Sequence, residues 1–350
     1  GDKLNLETAK EENDLADSGL RYDLTLPLSR YYANNAANLP SPFKALQMGS
    51  VWRADRPQKG RFRQFTQCDI DILGDPTNLA EIELILATTT ALSKICPDNA
   101  FTVRINDRGI LFGMARYCGF AEEAMDSVLI TLDKMDKIGF EGVEKELLEN
   151  GNAPESVSRY MEILRTVTND AEGVKKLGET LKDVMDPSVC QGLVHIMETV
   201  KDVAEAEFGL VFDPTLVRGM SYYTGTIFEV SMEGFGGSVA GGGRYDKMIG
   251  KFTGQDTPAC GFSIGFERIV TILMEQGGEI ENAAPKKAYL IEKGMDPARY
   301  GQIMKQAMGE RKAGVQVLVS MMNKNKKFQK EQLNKEGYNE FVEFYKEALK

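Results

Sequence analysis

The 350-residue sequence predicts an α+β fold, a sheet domain interrupted by a helical insertion and followed by a small α/β module. Three observations predict it. Two β-type blocks, within 43–74 and 216–246, carry strand-like patterning separated by Gly- and Pro-marked turns. Between them, from 113 to 207, composition shifts to Leu, Glu, Lys, Met and Ala with apolar residues three and four apart, the spacing of a helix face. Beyond a Pro-containing break, the tail alternates strand and helix. At ~100–200 residues per domain the length fits two or three domains. The composition breaks divide the chain into 1–112 together with 208–283, then 113–207, then 286–350.

In chain order, 43–53 (FKALQMGSVWR) and 62–74 (FRQFTQCDIDILG) read as two strands, joined by a loop at 54–61 that contains Pro57 and Gly60. In the second strand a period of two puts Phe62, Gln64, Thr66, Cys68, Ile70 and Ile72 on one face, and Arg63, Phe65, Gln67, Asp69 and Asp71 on the other. The strand is apolar enough at its end to be central, yet this second face is almost wholly polar. Gln67 and Asp71 sit roughly 13 Å apart at ~3.3 Å per residue, suited either to bracketing a small polar ligand or to a satisfied domain interface. Residues 216–230 read as a strand in which the adjacent Tyr222 and Tyr223 face opposite sides, so that one of them faces any pocket. A helix is expected over 265–276, ended by Gly277-Gly278, with ENAAPKK as linker. The tail then reads as strand 288–291, helix 297–312, strand 315–321, helix 323–336 and a last aromatic segment.

Composition narrows the chemistry. Hydrophobic residues make up 42% and charged residues 27%, an ordinary globular mix. No apolar run approaches the ~18 residues that span a bilayer, and no signal peptide is visible, so no membrane partner is expected. Cys68, Cys96, Cys118, Cys190 and Cys260 are odd in number and never in a CxxC pair, which reads as free thiols of a cytoplasmic protein rather than a disulfide frame or zinc site. The one histidine, His195, lies in a helical pattern of the insertion. That leaves no Ser-His-Asp hydrolase or multi-histidine metal site unless His195 itself is catalytic, and no side chain is assigned to a metal. Net charge is −10, unevenly spread: 286–350 holds 14 Lys and Arg against 8 Asp and Glu, and the rest of the chain 28 against 44. A basic end on an acidic body fits an anionic partner such as nucleic acid, or a solvated Lys-rich helix.

Arg53, Arg56, Lys59, Arg61 and Arg63 fall within eleven residues, opposed only by Asp55. Guanidinium groups take phosphate oxygens in bidentate fashion, so a basic hairpin over a sheet suits a nucleotide, although a solvated hairpin tip has the same composition. Arg53 sits at the end of a strand, where an unpaired charge is costly. The glycines at 236–237 and 241–243 match neither GxxxxGK[ST] nor GxGxxG between strand and helix. Glycines in strands instead mark close backbone approach or a bulge.

Five stretches in order then share one resemblance: LRYDLT (20–25), WRADRPQKGRFRQFTQCDIDILG (52–74), LVRGMSYYTG (216–225), AGGGRYD (240–246) and GFSIGFERI (261–269). Together they resemble the histidyl-tRNA synthetase family of class II aminoacyl-tRNA synthetases, across nearly the whole chain. The resemblance implies an antiparallel sheet flanked by helices, an insertion, and an anticodon-binding α/β domain. It implies activation of histidine with ATP and Mg²⁺, then transfer to the tRNA for histidine. By the same resemblance Arg53 holds the α-phosphate of ATP, with Asp55 and Arg56 completing the loop. Arg268 stacks on adenine and meets the γ-phosphate, and Arg218 stabilises charge at the α-phosphate. Asp23, Thr25 and Gln67 receive the α-amino end of histidine, and Asp71 and Tyr223 hold its imidazole with Tyr222 nearby. The family's first motif, which builds its dimer interface, would precede LRYDLT, so a homodimer is expected of the intact protein. The C-terminal domain is shorter than the family's usual one, and Ser221 stands where many members carry Asp or Gly. The regulatory subunit of ATP phosphoribosyltransferase shares the same catalytic domain; Arg218 and the basic tail argue for the synthetase.

Overall fold

The computed structural model describes residues 18–58, 60–218, 222–277 and 284–346. Lys59 of the basic loop, Gly219, Met220 and Ser221 of LVRGMSYYTG, and 281–283 of the expected linker lie outside the described residues. The chain forms two compact units, Gly1–Gly277 and Gly278–Lys350.

The first unit is built on a seven-stranded sheet. Its strands are β1 (Phe43–Trp52), β2 (Gln64–Leu73), β3 (Phe101–Asp107), β4 (Gly209–Phe212), β5 (Thr226–Met232), β6 (Ser238–Arg244) and β7 (Ala259–Gly265). They lie in the order β1-β2-β7-β6-β5-β3-β4, antiparallel throughout except for the parallel β3–β4 pair. Around the sheet run α1 (Thr25–Asn35), α2 (Leu79–Ile95), α3 (Arg108–Cys118), α4 (Met125–Leu132), α5 (Met135–Glu149), α6 (Pro154–Thr166), α7 (Ala171–Leu181), α8 (Pro187–Val203), α9 (Lys247–Thr253) and α10 (Phe266–Glu275).

The helical stretch begins earlier than composition suggests. Asp107, the last residue of β3, accepts the Gly109 N–H at 2.7 Å and starts α3 there, and Gly119, at φ 87°, closes it. The inserted helices share one core with the sheet: Val103 and Ile105 of β3 pack in the same cluster as Ile110, Leu111 and Met114 of α3 and Ile196 and Met197 of α8. His195 stands exposed on α8, its Nδ1 3.4 Å from the Thr199 hydroxyl.

Of the strand expected over 216–230, only the part from Thr226 onward is a strand; what precedes it belongs to the connection from β4. β4 ends at Phe212, and β5 begins only at Thr226. The Asp213 carboxylate accepts both the Thr215 N–H at 2.8 Å and its hydroxyl at 2.6 Å, turning the chain out of the sheet. Leu216 and Val217 still bury themselves, but as loop residues pinned through Asn106, whose side-chain amide donates to the Leu216 carbonyl at 3.2 Å.

A buried ion pair locks β6 to α2. The Arg244 guanidinium meets both Glu81 carboxylate oxygens at 2.6 and 2.7 Å, and its remaining N–H groups reach the carbonyls of Asp75 and Thr77 at 3.2 and 2.8 Å. Glu81 is 0% exposed and Arg244 9%. With Asp246 Oδ1 3.4 Å from Nη1 as well, all five donors are used, which is the condition for such a pair to be tolerated in the interior.

The second unit alternates β8 (Lys286–Ile291), α11 (Pro297–Lys312), β9 (Gln316–Met321), α12 (Lys326–Lys335) and β10 (Glu340–Phe344), with a parallel sheet in the order β10-β8-β9. Central β8 is buried on both faces: Tyr289 and Ile291 cluster with Ile303 and Ala307 of α11, and Ala288 and Leu290 with Leu333 of α12. Asn325 caps α12 on Phe328 N at 3.1 Å, so this helix starts later than the expected 323. The last aromatic segment becomes β10. Among the described residues no helix is long and apolar enough to cross a membrane.

Glu81→Ala leaves the buried Arg244 charge with only the longer Asp246 contact, 3.4 Å from its Nη1. We expect it to lower the unfolding free energy by ~3–5 kcal/mol in urea titration; a loss below ~1 kcal/mol would show that the pair does not tie β6 to α2.

Candidate active site

Strand register determines what the open face of the sheet carries. Gln47, Asp69, Ser263, Gly241, Glu229 and Arg104 stand directly opposite one another on β1, β2, β7, β6, β5 and β3. One step along β2, Asp71 faces Gly261, which faces Gly243. This face floors a cavity of about 450 Å³, walled by the 53–62 loop, the start of α1, the Tyr222–Tyr223 segment and the start of α10.

Glycine makes room for the charged groups. A Cβ on Gly241 would collide with the Arg218 guanidinium, and one on Gly261 with the Asp71 carboxylate. Gly242 and Gly243 serve packing instead, since a Cβ at 242 would strike the Gly261 carbonyl and one at 243 would lie 2.6 Å from the Thr226 carbonyl. The glycines at 241–243 therefore serve close approach in β6, whereas Gly236 and Gly237 precede the strand, where a Cβ would meet nothing closer than 3.8 Å.

Four arginines converge on the cavity. Arg53 leaves β1 between two rings, 4.4 Å from the Tyr22 centroid and 5.0 Å from that of Phe65, with its Nε donating to the Tyr22 carbonyl at 3.3 Å. Arg268 donates to the Gly60 carbonyl at 3.3 Å and to the Ser238 carbonyl and hydroxyl. Burial lowers its pKa, and the charges of Arg218 and Arg61 lower it further. Arg218 pairs with Glu229, Nε to Oε2 at 3.0 Å. Such convergence on one concavity favours a polyanion.

The other end of the floor is acidic. Burial raises Asp71 to about 7, against the opposing pull of the Tyr245 hydroxyl, which donates to it at 2.6 Å; the Gln47 amide donates at 3.4 Å. Burial likewise raises Asp69 to about 6, against the Ser263 hydroxyl and Arg53, and with Asp23 adding to the rise. Asp69 Oδ1 and Gln67 Oε1 are buried without a hydrogen-bond partner, while Gln67 Nε2 donates to Ser263 at 3.3 Å. Unpaired buried acceptors of this kind cost stability unless a ligand supplies donors.

Of the residues singled out from sequence, Asp23, Thr25, Arg53, Asp55, Gln67, Asp71, Arg218, Tyr222, Tyr223 and Arg268 all border this one cavity. Arg56 does not; it lies exposed in the loop, outside the lining. The two tyrosines depart from the expected strand alternation. They sit in the connection before β5, with hydroxyls 3.3 Å apart and centroids 4.4 Å apart, and both border the cavity. Asp69, Arg61, Ser263 and Tyr245 also line it, and Glu229 stands behind Arg218. Asp69 was visible in the period-two face of β2; Glu229 has no sequence signal without the cross-strand register.

A sequence profile described as histidyl-tRNA synthetase matches residues 11–269. The chain belongs to the histidyl-tRNA synthetase family. It is 45% identical over 300 residues to the histidine–tRNA ligase of Leifsonia xyli subsp. xyli (strain CTCB07), covering 84% of this chain and 68% of that one. It is 37% identical over 349 residues to the probable histidine–tRNA ligase of Tropheryma whipplei (strain Twist), covering 96% and 78%. Among solved structures, the histidyl-tRNA synthetase from Nostoc sp. PCC 7120 superposes with a TM-score of 0.70 at 26% identity, covering 91% of this chain and 74% of that one. The family membership brings with it the class II α+β fold, which is the architecture described above.

The raised carboxyls of this family member have a thermodynamic consequence. In the unfolded chain an aspartate titrates near ~3.9, so the folded state holds these protons more tightly, and their stabilisation is present below that pH and lost as pH rises through about 7 for Asp71. In urea unfolding from pH 5 to 8, wild type should lose on the order of 2 kcal/mol relative to Asp71→Asn. Parallel curves for the two proteins would contradict the raised pKa.

Proposed function

We propose that this cavity activates histidine with ATP, giving histidyl-adenylate and pyrophosphate, and that the chain then transfers histidine to the 3′ end of its tRNA. The observation that carries the reading is the convergence of Arg53, Arg61, Arg218 and Arg268 on the same cavity whose floor presents Asp69 and Asp71. A triphosphate needs the first set and an amino acid with an imidazole needs the second.

In this reading Arg53 holds the α-phosphate, and Arg268 stacks on adenine and meets the γ-phosphate, with Asp55 of the Arg53 loop beside the nucleotide; Arg56, outside the lining, takes no part in it. Asp23, Thr25 and Gln67 take the α-amino group. Asp71 accepts an imidazole N–H, Tyr223 meets the ring's other side, and Tyr222 supports Tyr223 through their hydroxyl contact. The histidine carboxylate, already ionised at neutral pH, attacks the α-phosphorus, and the bond to the bridging oxygen breaks as pyrophosphate leaves. No general base is needed. Arg218 faces the charge that develops there, in a site preorganised before the substrate arrives. The terminal tRNA hydroxyl then attacks the acyl carbon and AMP leaves. A ligand lacking the ring N–H would leave Asp71 with only its Tyr245 and Gln47 donors, and the bonds that apolar isosteres cannot make are how a polar pocket rejects them.

No three Asp, Glu, Cys or His side chains among the described residues cluster as a metal cage. The lining does hold Glu267 and Asp55. Mg²⁺ typically keeps its waters and binds through one or two carboxylates plus substrate phosphates, so it fits as the companion of ATP and would supply charge neutralisation on the phosphates. We assign residues 113–207 to an insertion domain and 286–350 to an anticodon-binding-like domain, with a cytoplasmic homodimer for the intact protein.

Arg218→Ala should abolish histidine-dependent ATP–pyrophosphate exchange, a loss of ~100-fold or more, while circular dichroism stays native; exchange at the wild-type level would remove Arg218 from the chemistry. For the basic C-terminal unit, the affinity for the histidine tRNA should fall steeply with salt, with log K linear in log salt. Affinity insensitive to salt would exclude phosphate contacts as its source.

A further inference from the structure

Arg218 is one end of a charged row that leads out of the cavity. Its Nε edge is tied to Glu229 Oε2 at 3.0 Å, and the other carboxylate oxygen, Oε1, lies 3.7 Å from Arg104 Nη1. Arg104 stands directly opposite Glu229 across the β3–β5 pair. It is itself claimed from two further sides: its Nε meets Asp213 Oδ2 at 2.5 Å, and Nη1 and Nη2 meet the two Asp136 oxygens at 2.9 and 3.3 Å. Asp136 belongs to the first turn of α5, inside the helical insertion. Asp133, in the turn just before it, feels the charge of Arg218.

We infer that Glu229 is a positioning residue for Arg218, and that Asp136 of the insertion controls it through Arg104, so that the insertion sets the geometry of the activation step. This rests on the role proposed above for Arg218. The physical argument is a division of one cation between carboxylates. Arg104 Nη1 is shared by Asp136 and Glu229, at 2.9 and 3.7 Å. With Asp136 neutralised, that N–H is free to close on Glu229 and draw it from Arg218. Arg218 then loses the tie that holds its Nε edge, and with it the orientation that brings the terminal nitrogens over Gly241, whose missing Cβ leaves the space they occupy. Burial acts to lower the Arg104 pKa, yet the Asp136 and Asp213 contacts outweigh it and the net shift is upward, which matches a guanidinium held mainly by those two acids. Because the affected interaction matters for charge that appears in the transition state, the loss falls on kcat rather than on substrate binding.

The test is a double-mutant cycle on the full chain, read by histidine-dependent ATP–pyrophosphate exchange. Glu229→Gln should lower kcat about 10-fold or more with the KM for histidine and for ATP within about twofold. Asp136→Asn should lower kcat about 3- to 10-fold with the same KM pattern. Its side chain is 69% exposed, so native folding of this variant is expected and is checked by thermal unfolding. In the Glu229→Gln background, Asp136→Asn should cost less than about twofold further, since the route it acts through is already cut. Wild-type kcat in Asp136→Asn, full additivity of the two substitutions, or a loss confined to KM would each overturn the inference while leaving the function intact. Absence of exchange in the wild type would instead overturn the functional reading, and this inference with it.

Discussion

The open face of the sheet depends on one constraint: that six strands hold a register in which Gln47, Asp69, Ser263, Gly241, Glu229 and Arg104 form a single row. Side chains alternate between the faces of a strand, so a slip of one residue would exchange the two faces. Val103, Phe228, Ala240 and Phe262 belong to the other face, inside the main core. The apolar cost of exposing them is what holds the polar row in place. The core thereby fixes the spacing of the cavity floor.

That row grades from carboxylates and amides on β1 and β2 to the Glu229–Arg104 pair on β5 and β3. Glycines at its centre keep the floor low enough for the Arg218 and Asp71 side chains to lie across it. Arginines enter from the rim, from the loop after β1, the connection before β5, and α10. The cavity thus has an acidic end and a cationic end, built from different parts of the chain. A small zwitterion and a polyphosphate can be held side by side with their reacting ends adjacent, which is the proximity that an adenylation step requires.

Much of this was legible in the amino-acid sequence, and what was not has physical causes. The period of two in β2 placed Gln67, Asp69 and Asp71 on one face because that rule is local to a strand. The helix expected over 297–312 is found as Pro297–Lys312. Tyr222 and Tyr223 were misread as strand residues, because β-branched and aromatic composition does not reveal that Asp213 turns the chain away from the sheet. Glu229 and Arg104 were invisible as partners: 125 positions apart in sequence, they meet only through the β3–β5 register. Arg56, grouped with its basic neighbours by composition, points to no part of the cavity lining. The basic excess of the tail is also partly internal, since Lys326 and Lys330 both pair with Glu343, and Lys287 with Glu310 and Glu340.

The central claim is that the Asp71 end of the floor selects histidine for activation by ATP at the arginine end. The most direct measurement is ATP–pyrophosphate exchange by the full chain with each of the twenty amino acids supplied singly. The account predicts exchange with histidine, and rates at least ~100-fold lower with every other amino acid. Exchange driven equally well by another amino acid, or histidine bound tightly with no exchange at all, would contradict it.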